Sequence, residues 1–171
     1  MSKYVVGDIH GGQKALVQLF EKLHFHKNDT LIFLGDYVDG WSQSPEVIDF
    51  LIGISQKYNC IFIKGNHDDL LLTYSKTQEY SQEWFLHGGE STLNAYKKLS
   101  HEQIKIHIAF LESLQLYYLD ENNNLFIHAG FTNLKGITHE YFKPLFYWDR
   151  TLWETALSLN PDITEENILY P

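Results

Sequence analysis

The chain has 171 residues, and its 22 acidic and 13 basic residues give a net charge of -9 at neutral pH. Hydrophobic residues make up 44% of the sequence, which suffices for one buried core and suits a single domain. The acidic balance argues against a nucleic-acid or anionic-membrane binder, because both need a basic surface. Arg150 is the only arginine, which also argues against a bidentate arginine clamp on phosphate.

Cysteine content and the N-terminal sequence indicate the cellular compartment of the protein. Cys60 is the only cysteine, so an internal disulfide framework and a cysteine-based zinc site are excluded. The first apolar run is too short for a signal-peptide core, and no stretch is long enough for a transmembrane helix. We therefore expect a soluble cytoplasmic protein.

Strands and helices alternate in the first part of the chain. Short apolar or β-branched runs predict three buried strands, at residues 4–6, 31–34 and 60–63. Between them, apolar residues recur at helical spacing over residues 15–23 and 47–54, and Ser44 and Pro45 form a typical helix start. This βαβαβ pattern predicts a parallel sheet with right-handed crossovers.

The middle of the chain is predicted to be helical, over residues 82–86, 91–99 and 104–111. Gly88 and Gly89 separate the first two helices, and Ser100 with Gln103 fits a capping box that starts the third. A second sheet or an antiparallel edge is implied by a strand pair at residues 116–119 and 125–127. An aromatic and partly helical segment is predicted at residues 146–153.

Four polar clusters each come directly after a predicted strand, at residues 7–12, 35–40, 65–68 and 128–130. Ligands of open α/β sheets bind beyond the carboxyl ends of the strands, so we expect these clusters to converge on one site. Any single cluster could instead be an ordinary turn. Three clusters in order, followed by His128, favour a shared site.

The side chains of these clusters suit a metal centre. Asp8 and His10 are two residues apart, which on an extended segment places both side chains on one face, where they can bind one cation. Asp36, Asn66 and His128 supply further oxygen and nitrogen donors. Mixed oxygen and nitrogen ligands without thiolate suit manganese, iron or zinc better than a cation that prefers oxygen alone.

The motifs that carry a family resemblance are Gly7-Asp8-Ile9-His10-Gly11, Gly35-Asp36-Tyr37-Val38-Asp39-Gly40, Gly65-Asn66-His67-Asp68 and His128-Ala129-Gly130. They resemble the signature motifs of the calcineurin-like metallophosphoesterases, in particular of bacterial relatives of serine/threonine protein phosphatases. The resemblance covers residues 4–148. It implies an α/β fold, a four-layer αββα sandwich in which two mixed β-sheets pack face to face between helices.

The resemblance also implies two divalent metal ions, with manganese expected and iron or zinc as alternatives. Asp8 and His10 would bind the first ion. Asn66 and His128 would bind the second, and Asp36 would bridge both. The two cations would hold a phosphate ester and activate the water that attacks phosphorus.

The implied catalytic pair is His67, as general acid, and Asp39, which orients it. A departing alkoxide needs a proton, and a histidine positioned by a carboxylate can deliver it near neutral pH. The sequence therefore predicts a phosphomonoesterase of the protein phosphatase type, acting on a phosphoprotein or a small phosphoester.

Two motifs depart from the family pattern. The arginine that normally follows Asp39 and holds phosphate is replaced here by Gly40 and Trp41. We interpret Arg150 first as a surface or core-edge arginine and second as a replacement for the missing guanidinium. The third motif ends in Asp68, where protein phosphatases commonly have glutamate, and aspartate recurs there in diadenosine-tetraphosphate hydrolases.

A further departure concerns the C-terminal region. The family's Gly-His motif, which supplies another metal ligand, does not occur before Pro171. We therefore expect residues 1–171 to form a single domain that lacks the C-terminal strands and has an incomplete second metal site. His87, beside two glycines, resembles a family segment near the substrate groove, and we interpret it first as a helix junction and second as a substrate contact.

Two other functions stay open at this point. A dinucleoside polyphosphate (diadenosine tetraphosphate) hydrolase would use the same metals, and a binding module would keep the fold without turnover. The presence of His67 and Asp39 argues against the binding module, whereas the missing arginine and C-terminal histidine argue for it.

Histidines without a partner at ligand spacing are expected on the surface or on helix faces: His24, His26, His101 and His107. The oligomeric state is not predicted.

Overall fold

A computed structural model describes residues 2–152 and 154. Its first sheet contains strands β1 (Lys3–Val6), β2 (Thr30–Phe33) and β3 (Asn59–Phe62). The strands are parallel in the order β1-β2-β3, and helices α1 (Gln13–Lys22) and α2 (Ser44–Ser55) connect them. The predicted βαβαβ unit is confirmed. The last residue of the predicted aromatic segment, Trp153, and the expected domain end, Pro171, lie outside the described residues.

Every residue of β2 is buried, because this central strand is covered on both faces. Leu31 and Phe33 belong to the main core beneath the helices. Ile32 points to the opposite face, as the alternation of side chains along a strand requires. There it packs with Tyr118 and Phe126, which belong to a second sheet.

The second sheet is the antiparallel pair β4 (Tyr117–Leu119) and β5 (Leu125–Ile127). Its contact with Ile32 places the two sheets face to face. The α/β fold with two sheets and flanking helices is thus confirmed. Within residues 2–152 the first sheet is purely parallel, because β-α-β units connect its strands. The second sheet is purely antiparallel, because one hairpin forms it.

Helices cover the outer face of the parallel sheet. Besides α1 and α2 they are α3 (Asn66–Thr77), α4 (Gln82–Trp84), α5 (Glu90–Tyr96) and α6 (His101–Glu112). A kinked segment, Phe85–Gly89, joins α4 to α5, and His87 and Gly88 within it are not helical. The chain continues through a 3₁₀ turn, Ile137–His139, to the short helix α7 (Leu145–Trp148). The predicted capping box of α6 is present, since Ser100 Oγ accepts from Gln103 N at 3.2 Å and Gln103 Oε1 accepts from Ser100 N at 3.1 Å.

Two features of the helical layer differ from expectation. Helix α3 was not predicted, because its first turn consists of the polar residues 66–69. His107, expected on the surface or on a helix face, lies on α6 and is fully buried. Its Nδ1 lies 3.1 Å from Tyr96 Oη and its Nε2 lies 3.0 Å from Asp49 Oδ1, so two tertiary partners satisfy the ring. Among the described residues, no helix is long and apolar enough to cross a bilayer.

Candidate metal centre

Backbone hydrogen bonds join the loops that follow the three parallel strands. The N–H groups of Ile9 and His10 both donate to Asp36 O, at 3.0 and 2.9 Å. The N–H of His67 donates to Asp36 Oδ1 at 3.0 Å. The predicted convergence of the polar clusters at the carboxyl edge of the sheet is therefore what the structure shows.

The backbone at this edge is held in an uncommon conformation. His10, Asp36 and Asp39 have φ values of 47°, 53° and 72°, a region that non-glycine residues seldom adopt. Such conformations persist only where the surrounding contacts enforce them, and they concentrate at functional sites. Gly65 has a related role, because a Cβ atom at this position would overlap the carboxylate of Asp36.

Asp68 holds the turn that carries Asp36. Its carboxylate is fully buried and accepts three backbone hydrogen bonds of 2.9 Å, from Asp36, Tyr37 and Gly65. Burial and the charge of Asp36 raise the pKa of Asp68 to about 8, although the three N–H donors act in the opposite direction. The sequence marked Asp68 only as a motif variant, since no local pattern indicates its burial or its partners.

Two histidines present their Nε2 atoms to Asp36. His10 Nδ1 lies 3.1 Å from Val38 O, and His128 Nδ1 lies 2.8 Å from Leu34 O. A carbonyl oxygen only accepts, so each Nδ1 carries a proton, and in the neutral form of each ring Nε2 keeps the lone pair. Both Nε2 atoms lie 3.6 Å from Asp36 Oδ2. Carbonyl partners of this kind orient histidines as metal ligands.

Two groups of potential ligand atoms share Asp36. The groups are His10, Asp36 and His67, and Asp8, Asp36 and His128, with the ligand atoms of each group within 4.8 Å of one another. Asn66 Oδ1 lies 3.1 Å from His128 Nε2. With Nδ1 protonated these two atoms are both acceptors, and a cation between them would satisfy both.

These donors fit a pair of divalent cations. They combine carboxylate, imidazole and amide oxygen, a set that suits manganese, iron or zinc. Asp8 lies near both groups, because its Oδ2 is also 4.0 Å from His10 Nε2 and its side chain is 55% exposed. The structure thus brings together all five residues that the sequence proposed as metal ligands: Asp8, His10, Asp36, Asn66 and His128.

The predicted catalytic pair is also in contact. His67 Nδ1 lies 2.7 Å from Asp39 Oδ2, and the side chain of Asp39 is fully buried. Burial lowers the pKa of His67, but the hydrogen bond to Asp39 and the charges of Asp36 and Asp68 outweigh it, so the pKa lies above its usual value. With Nδ1 held by Asp39, His67 Nε2 is the nitrogen available to a ligand.

A cavity of about 610 Å³ opens beside these residues. His10, Asn66 and His67 line it together with the two predicted substrate contacts, His87 and Arg150, which are both exposed. The tryptophans Trp41, Trp84 and Trp148 also line the cavity. Sequence reasoning noted Trp41 only as a neighbour of the missing arginine and did not assign Trp84 a role.

Curated relatives of similar sequence are nucleotide hydrolases. The chain is 31% identical over 144 residues to the asymmetrical bis(5'-nucleosyl)-tetraphosphatase of Bacillus velezensis, covering 76% of this chain and 57% of that protein. It is 31% identical over 133 residues to the symmetrical bis(5'-nucleosyl)-tetraphosphatase of Wigglesworthia glossinidia brevipalpis, covering 76% of this chain and 45% of that protein. The chain spans about half the length of these relatives.

Two solved structures share the fold of this chain. One is a protein proposed to be a diadenosine tetraphosphatase, with a TM-score of 0.63, 23% identity, and coverage of 84% of this chain and 57% of that one. Another is a protein serine/threonine phosphatase from Saccharomyces cerevisiae, with a TM-score of 0.54, 27% identity, and coverage of 76% and 38%.

The family match covers more of the chain than the two curated relatives do. The family described as calcineurin-like phosphoesterase matches residues 1–166, which is nearly the whole chain. This match agrees with the motifs in the sequence and with the shared carboxylate at Asp36 in the structure. The chain therefore belongs to the calcineurin-like phosphoesterase family.

Proposed function

We propose that this protein is a metal-dependent hydrolase of dinucleoside polyphosphates. The observation that carries the metal-dependent part is the position of Asp36 Oδ2, 3.6 Å from the lone-pair nitrogens of both His10 and His128. The tetraphosphatase relatives support the substrate class, which the sequence had placed second to a phosphoprotein.

Five side chains would hold the metals: Asp8, His10, Asp36, Asn66 and His128. Two divalent cations bound there would supply Lewis acidity and neutralise phosphate charge. The shared carboxylate of Asp36 would set the separation of the two sites, and its own position is set by Asp68 and Gly65. Manganese is the metal we propose, with iron and zinc as alternatives.

The chain's own proton donor would act on the leaving group. His67 Nε2 lies toward the cavity because Asp39 holds Nδ1, so a proton on Nε2 can pass to the oxygen that departs from phosphorus. Arg150 lines the same cavity, and we propose that its guanidinium would contact the phosphate oxygens. This contact would replace the arginine that is missing after Asp39.

Trp41 favours a nucleotide substrate over a phosphopeptide. Its side chain is 73% exposed at the cavity, whereas its backbone N–H donates a hydrogen bond of 2.9 Å to His10 O. An indole with a fixed backbone and an open face can stack on a nucleobase, which stabilises a complex by about 1–3 kcal/mol per base. We propose that Trp41 contacts a base of the substrate.

The experiment compares diadenosine tetraphosphate with a phosphoserine peptide, using the manganese-loaded protein. We expect a higher kcat/KM for the dinucleotide, and we expect Trp41→Ala to raise its KM by about tenfold while leaving hydrolysis of an aryl phosphate unchanged. Preference for the peptide would favour a protein phosphatase. Hydrolysis that survives complete metal removal would refute the metal-dependent mechanism, and no turnover of any phosphate substrate would favour a binding module.

A further inference from the structure

We propose that Trp84 is a positioning residue that orients the general acid through Asp39, an inference that rests on the proposed role of His67. The indole is 3% exposed, and its Nε1 donates a hydrogen bond of 2.6 Å to Asp39 Oδ2. His67 Nδ1 lies 2.7 Å from the same oxygen. Two donors from different elements therefore meet on one carboxylate oxygen.

The geometry makes Trp84 the second anchor of this carboxylate. A carboxylate oxygen has two lone-pair directions, and Trp84 and His67 occupy them both. The other oxygen, Asp39 Oδ1, is buried and has no hydrogen-bond partner within the part of the chain that the structure describes. Without the indole N–H, His67 would be the sole side chain among the described residues that holds the carboxylate, which could then rotate together with the imidazole.

The backbone contacts of Asp39 do not replace this anchor. Its N–H lies 3.0 Å from Ser44 Oγ and 2.9 Å from Thr92 Oγ1, and both hydroxyls accept from it. These bonds hold the main chain at its positive φ, but they leave the torsion of the carboxylate free. The direction of Oδ2, and hence that of the imidazole, depends on Trp84.

Two glycines allow the indole to reach Asp39. A Cβ atom on Gly89 would lie 2.7 Å from Cε2 of Trp84. Gly88 has a φ of 115°, and a Cβ atom there would overlap the backbone nitrogen of Gly40. The Gly88-Gly89 pair lies at the kink between α4 and α5, where the backbone of Gly88 leaves helical geometry. Because Gly88 and Gly89 have no side chains, the indole of Trp84 can reach Asp39.

A role in packing alone would not need the N–H group, and this difference gives a test. Trp84→Phe keeps an aromatic ring and removes the donor. Tyr74→Leu is the matched control, because the Tyr74 ring lies 5.9 Å from that of Trp84 and forms no hydrogen bond to Asp39 within residues 2–152. The control loosens the same cluster and leaves the donor in place.

The kinetic test compares phenyl phosphate, whose leaving group needs a proton, with 4-nitrophenyl phosphate, whose leaving group does not. We expect Trp84→Phe to lower kcat for phenyl phosphate about tenfold at constant KM, with a smaller loss for the nitrophenyl ester. Tyr74→Leu should lower the melting temperature and leave the ratio of the two kcat values unchanged. A wild-type ratio in Trp84→Phe would overturn the proposal.

A spectroscopic measurement on the metal-free protein tests the hydrogen bond itself. In the ¹H–¹⁵N spectrum, the indole resonance assigned to Trp84 should lie downfield of the other indoles, because its partner is a charged oxygen at 2.6 Å. Asp39→Asn should move this resonance upfield, and an unmoved resonance would overturn the proposal. A failure of the proposed function is distinct, because it would appear as wild-type inactivity with the resonance still shifted.

Discussion

Replacing His67 by asparagine tests the assignment of the general acid. Asp39 holds His67 Nδ1 at 2.7 Å, so Nε2 is the one ring nitrogen that can carry a proton into the cavity. An amide at this position can still donate to Asp39, but it cannot give up a proton. General acid catalysis contributes about 10²–10⁴-fold, which corresponds to roughly 3–5 kcal/mol at about 1.4 kcal/mol per tenfold change.

The expected result depends on the leaving group. For phenyl phosphate we expect kcat of His67→Asn to fall by about 10²–10⁴-fold, because phenolate is a strong base that leaves poorly without a proton. For 4-nitrophenyl phosphate the loss should stay below about tenfold, since this leaving group departs as a stable anion.

The assay is steady-state hydrolysis of both esters by the manganese-loaded protein. His101→Asn is the control, because His101 is exposed at the start of α6 and does not line the cavity among the described residues, so both rates should be unchanged. Equal losses on the two esters in His67→Asn would refute the general-acid role, since a proton donor acts on the leaving group alone.

Three further predictions concern the metal ligands, the phosphate contact and the buried carboxylate. Asp36→Asn should abolish activity and reduce the bound manganese measured by elemental analysis, because the negative charge shared by both sites is removed. Arg150→Lys should lower kcat/KM by about tenfold, since an ammonium cannot form the bidentate contact of a guanidinium. Asp68→Asn should flatten the pH dependence of unfolding in the metal-free protein. Folding raises the pKa of Asp68 to about 8, so the folded chain keeps a proton that the unfolded chain releases. The resulting stabilisation is full below about pH 4 and is lost as the pH rises through about 8.

Each of these predictions has an outcome that would contradict it. Full manganese binding by Asp36→Asn would show that the two sites do not share this carboxylate. Unchanged kinetics of Arg150→Lys would mean that the guanidinium makes no bidentate contact with the substrate. Denaturant titrations that show stability rising from pH 5 to pH 8 in the metal-free wild type would contradict the raised pKa of Asp68, because the sign of the slope would be reversed.

Motif spacing was enough to propose the members of the site. Each of the proposed ligands Asp8, Asp36 and Asn66 lies shortly after a parallel strand. The carboxyl ends of adjacent parallel strands meet at one edge of a sheet, so a pattern along the chain was enough to predict proximity in space. His128 was predicted in the same way, since it follows the last strand of the second sheet.

The hydrogen bonds that orient these side chains join segments that are far apart in the chain, so they are visible only in the fold. The carbonyl that sets the tautomer of His128 belongs to Leu34, 94 residues earlier in the chain. The indole that anchors Asp39 comes from Trp84, 45 residues later. His107 lies on a helix, which was one of its two expected places, but its burial could not be predicted because its partners lie on other helices. Burial and hydrogen bonding between distant segments depend on how the layers pack, and local periodicity carries no information about that packing.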